Sequence, residues 1–220
     1  MEYHRNDIND TVAAFQEVNN PTDRYASFDY CYYYFLKSSP ESLLSDMEKS
    51  CLVIGFYLAS WGMLRGSSFL LNKSVKYYEP LIKYISTLDK EIWNIDVDDY
   101  TEENINKICR SYKDIQAIII DNGNSHLTLV TKILLGVFGF VPAFDNYFSN
   151  TFRGMFKDEC RFRSLNSKSL KCIHRFYEHN KVDIDRLSSQ TFVTDFSNGQ
   201  KTNINYTKSK IIDMYGFIRG

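Results

Sequence analysis

Proline, long uncharged runs and metal-ligand spacings are all scarce in this sequence of 220 residues. Only four prolines and ten glycines interrupt the chain, and it has neither a C-x-x-C pair nor the phosphate-cradling pattern G-x-x-x-x-G-K-[ST]. The four histidines and five cysteines show no spacing typical of a metal site. We therefore expect no metal and no cofactor. The odd number of cysteines favours reduced thiols in the cytoplasm over a disulfide framework.

Signals for secretion or for a membrane span are also lacking. The N-terminal residues MEYHRNDINDTVAAF have no apolar segment behind a basic start, so we expect no secretory signal and a mature chain that begins at or near Met1. Two runs are nearly free of charge, residues 51–64 and 127–144. The first is too short to cross a bilayer, and the second contains Lys132, two glycines and a proline. Both runs therefore predict buried helices of a protein without membrane contact.

Charge is nearly balanced overall but unevenly distributed. The formal net charge of -1 does not by itself indicate a nucleic-acid-binding protein. Residues 89–103 contain seven acidic residues and one lysine, whereas residues 153–175 contain seven cations and two anions. The cations are Arg153, Lys157, Arg161, Arg163, Lys168, Lys171 and Arg175. This asymmetry predicts either one basic face suited to DNA or a solvated helix surface, and the sequence leaves both open.

Apolar residues recur at helical spacing through most of the chain, and strand signals occur only near its end. The 25.8 kDa chain is 44% hydrophobic and has no long linker, so we expect a single mainly α domain over residues 1–220. Within residues 191–206, Asn198-Gly199 separates two β-compatible runs and predicts a short β-hairpin. Predicted helices cover residues 7–18, 23–37, 41–64, 67–87, 102–119, 126–139, 145–153, 167–180 and 207–218, with a break near 47 and a disturbance at Pro80.

Small residues follow one another at spacings of three and four near the end of the predicted helix 41–64. They are Gly55, Ala59, Gly62 and Gly66. On one helix face they would form a groove that lets another element pack closely. Beyond them, Ser67 and Ser68 can cap the next helix. Arg65 beside that helix start allows a second interpretation, an anion site of the kind that holds phosphate.

Residues 127–144 contain a single charged side chain, that of Lys132. A helix over 126–139 places four residues on one stripe: Thr128, Lys132, Gly136 and Gly139. The opposite side, of leucines and valines, is expected to face the core. A lysine above two glycines and among apolar side chains is partly desolvated, which lowers its pKa and favours a nucleophilic neutral amine. The alternative is an amphipathic lysine whose ammonium reaches water.

The next anion after Lys132 is Asp145, which follows the turn imposed by Pro142. It precedes NYFSNTFR, so its simplest role is to cap the N-terminus of the next helix. The same geometry keeps a carboxylate ionised at the rim of an apolar pocket. A reaction with an oxocarbenium-like transition state requires such a group. Asp145 is therefore either a helix cap or a catalytic carboxylate that also caps.

The string TKILLGVFGFVPAFD, residues 131–145, resembles the helix-hairpin-helix Gly-Pro-Asp signature of DNA glycosylases, including the archaeal 8-oxoguanine glycosylases. In that superfamily a catalytic Asp follows a Pro after a Gly-rich hairpin, and bifunctional members carry a Schiff-base lysine before it. The resemblance implies Asp145 as the catalytic carboxylate and Lys132 as the candidate lyase nucleophile. Here LLGVFG replaces the family's Leu-Pro-Gly-Val-Gly type of turn, and Lys132 is closer to Asp145 than in bifunctional members. The resemblance therefore implies a glycosylase more directly than a lyase.

A wider pattern, SWGMLRGSSFLL followed by TKILLGVFGFVPAFD, resembles an uncharacterised bacterial family of small helical proteins associated with phage-defence and restriction islands. Some defence glycosylases attack glucosylated hydroxymethylcytosine in phage DNA. The resemblance thus implies double-stranded DNA with a modified base as the substrate, and a protein partner is compatible with it.

Aromatic residues suit an enzyme that must turn a base out of the duplex and hold it between rings. The chain has 16 tyrosines, 16 phenylalanines and 2 tryptophans, although aromatic residues at helical spacing equally fit a core. The predicted substrate-binding residues are Tyr30, Tyr33, Trp61, Arg65, Ser67, Gly136, Gly139 and Arg153. We expect a DNA glycosylase that leaves an abasic site. The alternative is a non-enzymatic helical partner or regulator of a defence or restriction locus.

Overall fold

The computed structural model describes residues 7–17, 19–121 and 125–220. Across these residues it contains ten α-helices, short 3-10 turns and one two-stranded sheet, which confirms the mainly α prediction. The helices are α1 (Asp7–Glu17), α2 (Ser27–Lys37), α3 (Pro40–Ser45), α4 (Met47–Ser60), α5 (Glu79–Ser86), α6 (Glu102–Ile119), α7 (Leu127–Phe138), α8 (Asn146–Met155), α9 (Ser167–Gln190) and α10 (Lys208–Arg219). None of these helices is both long and apolar enough to cross a bilayer. Residues 1–6 and residue 18, the predicted end of the first helix, lie outside the described residues.

Several helix boundaries follow side-chain caps that can be read from the sequence. Ser39 accepts a hydrogen bond from the Ser42 N–H at the start of α3, and Thr101 caps α6 in the same way. The predicted cap of the last helix is confirmed, since Thr207 Oγ1 accepts from the Lys210 N–H at 3.1 Å. These caps satisfy backbone donors that the first helical turn leaves unpaired.

The predicted helix over 41–64 is confirmed in its break near residue 47 and wrong in its end. A non-helical residue, Asp46, separates α3 from α4. Gly62 then ends α4 in a left-handed conformation, with φ +78°, and its N–H and that of Met63 donate to Ala59 and Leu58 carbonyls. This is a Schellman arrangement, which glycine adopts without a steric penalty. Gly62 and Gly66 therefore lie beyond the helix and do not extend the predicted groove.

Two further helices differ from their predicted lengths. The segment predicted as a helix over 67–87 forms two 3-10 turns, Phe69–Asn72 and Val75–Tyr78, before α5 begins at Glu79. Helix α9, by contrast, is longer than predicted. It continues ten residues beyond the predicted end at 180, with non-helical dihedrals at Asn180. The Asn180 side chain donates to the Phe176 carbonyl, which compensates for the local break.

Helix α7 lies at the centre of the core. All ten residues from Leu129 to Phe138 are buried, and the helix packs against α2, α4 and α6. Both predicted sides of this helix, the leucine and valine side and the glycine stripe, are therefore covered by other elements. Helix α10 packs against α1, α8 and α9 and brings the end of the described chain beside the start of α8.

The predicted β-hairpin is confirmed. Strand β1 (Phe192–Thr194) pairs antiparallel with β2 (Lys201–Asn205), and Gly199 in the connection has φ +68°. The buried carboxylate of Asp29 on α2 accepts hydrogen bonds from the Thr194 N–H and the Tyr206 hydroxyl. Burial raises the pKa of Asp29.

All five cysteines lie in the described chain and are free thiols.

Candidate functional site

The turn between α7 and α8 returns the chain to the side of α7. Gly139 ends α7 with φ +74°, and its N–H donates to the carbonyls of Leu134 and Leu135. Thr131 Oγ1 then accepts from the Phe144 N–H at 2.8 Å, and Thr128 Oγ1 donates to the Phe144 carbonyl at 3.1 Å. These two hydroxyls of α7 hold the residue that directly precedes Asp145.

Lys132 and Asp145 form a buried ion pair at this junction. Lys132 Nζ lies 3.2 Å from Asp145 Oδ2, and the two side chains are 3% and 13% exposed. The other oxygen of Asp145, Oδ1, accepts from the Phe148 N–H at 3.0 Å and caps α8. The predicted cap is thus confirmed, and the carboxylate has a second partner. The alternative of a lysine that reaches water is wrong, because other elements cover α7.

Burial dominates the electrostatics of Lys132. It lowers the pKa of the ammonium group from the ordinary value of 10.5, while the carboxylates of Asp145 and Asp213 oppose this shift and Lys210 adds to it. The hydroxyl of Tyr57 donates to the Lys132 carbonyl at 2.9 Å, and burial raises the pKa of that phenol well above its usual value. Lys132 Nζ also lies 5.1 Å from the centre of the Trp61 ring.

The ion pair lies in a cavity of about 550 Å³, which we call the Lys132 pocket. Its walls combine hydroxyl, amide and charged groups with aromatic rings. The lining residues include Arg24, Tyr25, Trp61, Arg65, Ser67, Ser68, Ser125, Thr128, Lys132, Asp145, Asn146, Tyr147 and Phe217. Five predicted site residues are therefore brought together, namely Trp61, Arg65, Ser67, Lys132 and Asp145.

The other five predicted site residues lie outside the lining of this pocket. Gly136 is covered by Tyr57, because a methyl group added there would lie 2.3 Å from the Tyr57 ring. A methyl group added at Gly139 would likewise lie 2.8 Å from the Tyr32 ring and 2.9 Å from the Thr207 methyl group. Arg153 is exposed in the last turn of α8. The two glycines thus permit close packing, and no glycine surface lies beneath the lysine.

Tyr30 and Tyr33 line a different cavity, of about 830 Å³, between α2, α4 and the hairpin connection. We call it the tyrosine groove. Its apolar and aromatic residues are Pro21, Tyr30, Cys31, Tyr33, Tyr34, Leu52, Val53, Phe56, Tyr57 and Phe196. Phe56 and Phe196 are 70% and 78% exposed, and the Phe196 ring meets Tyr30 edge-on at 5.2 Å. An exposed apolar surface of this kind is typical of a binding surface.

Sequence reasoning missed several residues of the Lys132 pocket. Asn146 and Tyr147 directly follow Asp145, so their position could have been inferred from the cap. Arg24, Tyr25 and Phe217 come from distant parts of the chain and carry no local signal. Tyr25 and Phe217 pack against the Trp61 ring at centroid distances of 5.0 and 6.0 Å. Arg24 donates from Nε to the Ser60 carbonyl at the end of α4.

Comparisons of this chain with protein-family models, with curated proteins and with solved structures found no match. Within the described residues, no group of three His, Cys, Asp or Glu side chains is arranged to hold a metal ion. The Lys132 pocket thus combines an ammonium and a carboxylate, both nearly buried, with aromatic rings and hydroxyl groups.

Proposed function

We propose that this chain is a DNA glycosylase that releases a modified base from phage DNA and leaves an abasic site. Asp145 is the proposed catalytic carboxylate and Lys132 its partner. The observation that carries the proposal is the 3.2 Å pair of Lys132 Nζ and Asp145 Oδ2 in a pocket lined by Trp61 and Tyr25. The order of α7, a buried turn and α8 with Asp145 at its cap also fits the hairpin signature that residues 131–145 resemble.

In the proposed reaction the bond between the sugar C1′ and the base nitrogen breaks, and its electron pair leaves with the base. Positive charge then develops on the sugar ring. The Asp145 carboxylate stabilises this charge at close range. A water molecule adds its hydroxyl group to C1′ and its proton is taken up by the departing base. Lys132 and the Phe148 N–H orient the carboxylate.

The walls of the pocket suit an extruded nucleotide. The half-buried ring of Tyr25 can stack on a base, and the buried Trp61 ring supports it at a centroid distance of 5.0 Å. Arg65 is exposed and Arg24 lies close by on the same wall, where guanidinium groups can bind the flanking phosphates. The cavity of about 550 Å³ is within the range of roughly 300–1,000 Å³ that small-molecule sites occupy.

The direct test is abasic-site formation in phage DNA with glucosylated hydroxymethylcytosine, in plain DNA and in 8-oxoguanine duplexes. Asp145→Asn should reduce release by about 10²- to 10³-fold, since a pre-organised charge contributes about that much. Lys132→Ala should reduce release only in part, and borohydride should trap no covalent adduct with DNA. Asp10→Asn, at an exposed acid of α1 outside both the pocket and the basic segment, is the matched control and should retain full activity. Near-UV circular dichroism checks the fold of each variant.

Three outcomes would change this proposal. Release of no base from any of the three DNAs by the wild-type protein would contradict it. Full activity in a folded Asp145→Asn variant would contradict the role of the carboxylate. A trapped adduct that disappears in Lys132→Ala would make Lys132 the nucleophile, because only an amine attack forms a Schiff base.

The basic segment 153–175 is the proposed DNA contact. Arg153, Lys157, Arg161 and Arg163 are exposed, whereas Lys171 forms an ion pair with Glu102. Replacing Arg153, Lys157, Arg161 and Arg163 by Gln should weaken binding to all DNA sequences alike. Each lost phosphate contact should reduce the salt slope by about one. An unchanged slope would point to the solvated-surface interpretation of this segment.

A non-enzymatic role as a helical partner in a defence or restriction locus is the second candidate. The exposed aromatic rings of Phe56 and Phe196 in the tyrosine groove favour it. A gene that accompanies this one in different genomes would identify the partner, and co-expression followed by size-exclusion chromatography would test the complex. Phe56→Ser should then abolish co-elution, while Val182→Ser, at an exposed position outside the groove lining, should not.

A further inference from the structure

A second buried ion pair lies behind the Lys132 pocket. Lys210 and Asp213 are one turn apart on α10, with Lys210 Nζ 2.8 Å from Asp213 Oδ2, and their side chains are 0% and 5% exposed. Burying two charges costs desolvation energy that their attraction often fails to offset, so such a pair is weak evidence of a stabilising role. Its other contacts are therefore informative.

Lys210 is connected to the site through Trp61. Its Nζ lies 4.5 Å from the centre of the Trp61 ring, and the rings of Phe28 and Phe15 are 4.6 and 5.2 Å away. The Nζ of Lys132 lies 5.1 Å from the same indole. Trp61 Nε1 is buried and has no hydrogen-bond acceptor in the described chain, so ring contacts and the two ammonium groups position the indole.

Asp213 is connected to the site through the turn between α7 and α8. Its Oδ1 accepts from the Ala143 N–H at 3.0 Å, and the Ala143 carbonyl accepts from the Asp145 N–H at 2.9 Å. One carboxylate of α10 therefore holds both Lys210 and the backbone that presents Asp145 to Lys132.

We propose that Lys210 and Asp213 are positioning residues of the candidate site: they hold Trp61 and the turn against Lys132 and Asp145, and their charges contribute to the electric field at Lys132. This inference deepens the proposed glycosylase function and rests on it. Neither residue lines the Lys132 pocket, so both act through Trp61, Ala143 and the electric field at the lysine.

The groups around Lys132 predict how it responds to each charge. Asp145 faces it from the start of α8, Asp213 and Lys210 from α10, and Tyr57 from α4. The Asp213 carboxylate raises the pKa of Lys132, whereas the Lys210 ammonium lowers it. Removing one charge or the other should therefore move the titration of Lys132 in opposite directions.

The test follows the ε-methylene signal of Lys132 in ¹³C-lysine-labelled protein as the pH is raised, with Lys132→Met to assign the signal. Asp213→Asn keeps a carbonyl oxygen for the Ala143 N–H and removes only the charge, so the Lys132 midpoint should fall. Lys210→Met should raise it. The double variant should return it towards the wild-type value. Lys83→Met, at an exposed surface lysine, is the control and should leave it unchanged.

The same order should appear in the pH profile of base release, with the profile of Lys210→Met displaced to higher pH and that of Asp213→Asn to lower pH. Shifts of the two single variants in the same direction, or no shift in either, would overturn the proposal. If Asp213→Asn does not fold, the comparison uses the double variant, in which the midpoint of the Lys132 titration must lie below the midpoint in Lys210→Met. Because the titration needs no turnover, opposite shifts without base release would contradict the proposed function alone.

Discussion

The Lys132 pocket and the tyrosine groove place opposite kinds of residue in unfavourable surroundings. The pocket encloses an ammonium and a carboxylate, whereas the groove exposes the phenylalanine rings of Phe56 and Phe196 to solvent. A fold optimised only for stability would put charges outside and rings inside. Such departures from local rules are expected at functional sites. The comparison teaches that the two candidate functions concern different surfaces and can be tested separately.

Helix α4 lies between these two regions and contributes to both. Leu52, Val53 and Phe56 face the groove, while Tyr57 contacts Lys132 and Gly136 on α7. Trp61 follows the last turn of the same helix and lines the pocket. Substitution of Phe56 should therefore affect the groove alone, whereas Tyr57 also lines the groove, so its substitution should affect both regions.

The largest expected effect is the cost of separating the buried pair. Asp145→Asn keeps the helix cap but leaves Lys132 without its carboxylate, which should reduce the free energy of unfolding by about 3–5 kcal/mol. Lys132→Met/Asp145→Asn removes both charges and should recover most of the loss. Urea denaturation at neutral pH measures both values. An equally large loss in the double variant would show that packing, not the unpaired charge, causes the effect.

A smaller loss is expected at Gly136, the contact between α7 and α4. A methyl group there would lie 2.3 Å from the Tyr57 ring, so Gly136→Ala should cost about 1–3 kcal/mol and displace the Tyr57 hydroxyl from the Lys132 carbonyl. Gly154→Ala on α8 is the matched control. Nothing lies within 4 Å of the added methyl there, so a gain of up to about 1 kcal/mol is expected. Thermal unfolding that ranks the two variants equally would contradict this explanation.

The pH dependence of stability should reveal the buried lysine. Lys132 has a lowered pKa in the folded chain and an ordinary one, 10.5, when unfolded. Between these values the unfolded state binds more protons, so the contribution of Lys132 to the free energy of unfolding rises with pH. As the pH rises towards 10.5, the wild-type protein should therefore gain stability relative to Lys132→Met. A relative loss over this range would mean that the folded pKa is raised.

The smallest effect is expected in the tyrosine groove. Phe56→Ser and Phe196→Ser change exposed side chains, so each should alter the free energy of unfolding by no more than about 0.5 kcal/mol. Base release should also be unchanged, because neither residue lines the Lys132 pocket. A large loss of stability would show that these rings are part of the core and would remove the argument for a partner surface.

Local patterns alone determined much of the architecture and one half of the site. Helical spacing of apolar residues predicted the mainly α fold, and Asn198-Gly199 predicted the hairpin. The turn at Pro142 placed Asp145 at a helix start, where its side chain caps α8. These features depend on dihedral preferences and on hydrogen bonds between residues close in sequence, so a short stretch of residues is sufficient to specify them.

The tertiary structure alone decided what surrounds that cap. Lys132 is buried because α2, α4 and α6 cover α7, and the sequence of α7 does not specify its neighbours. Gly136 accommodates Tyr57 for the same reason, and Tyr30 and Tyr33 lie on another surface from the one predicted for them. Other groups reach the site from distant parts of the chain. Arg24 comes from the segment before α2, and α10 contributes Lys210, Asp213 and Phe217. Their roles depend on long-range packing, which no local pattern encodes, because burial and electrostatic coupling are set by distance in space and not along the sequence.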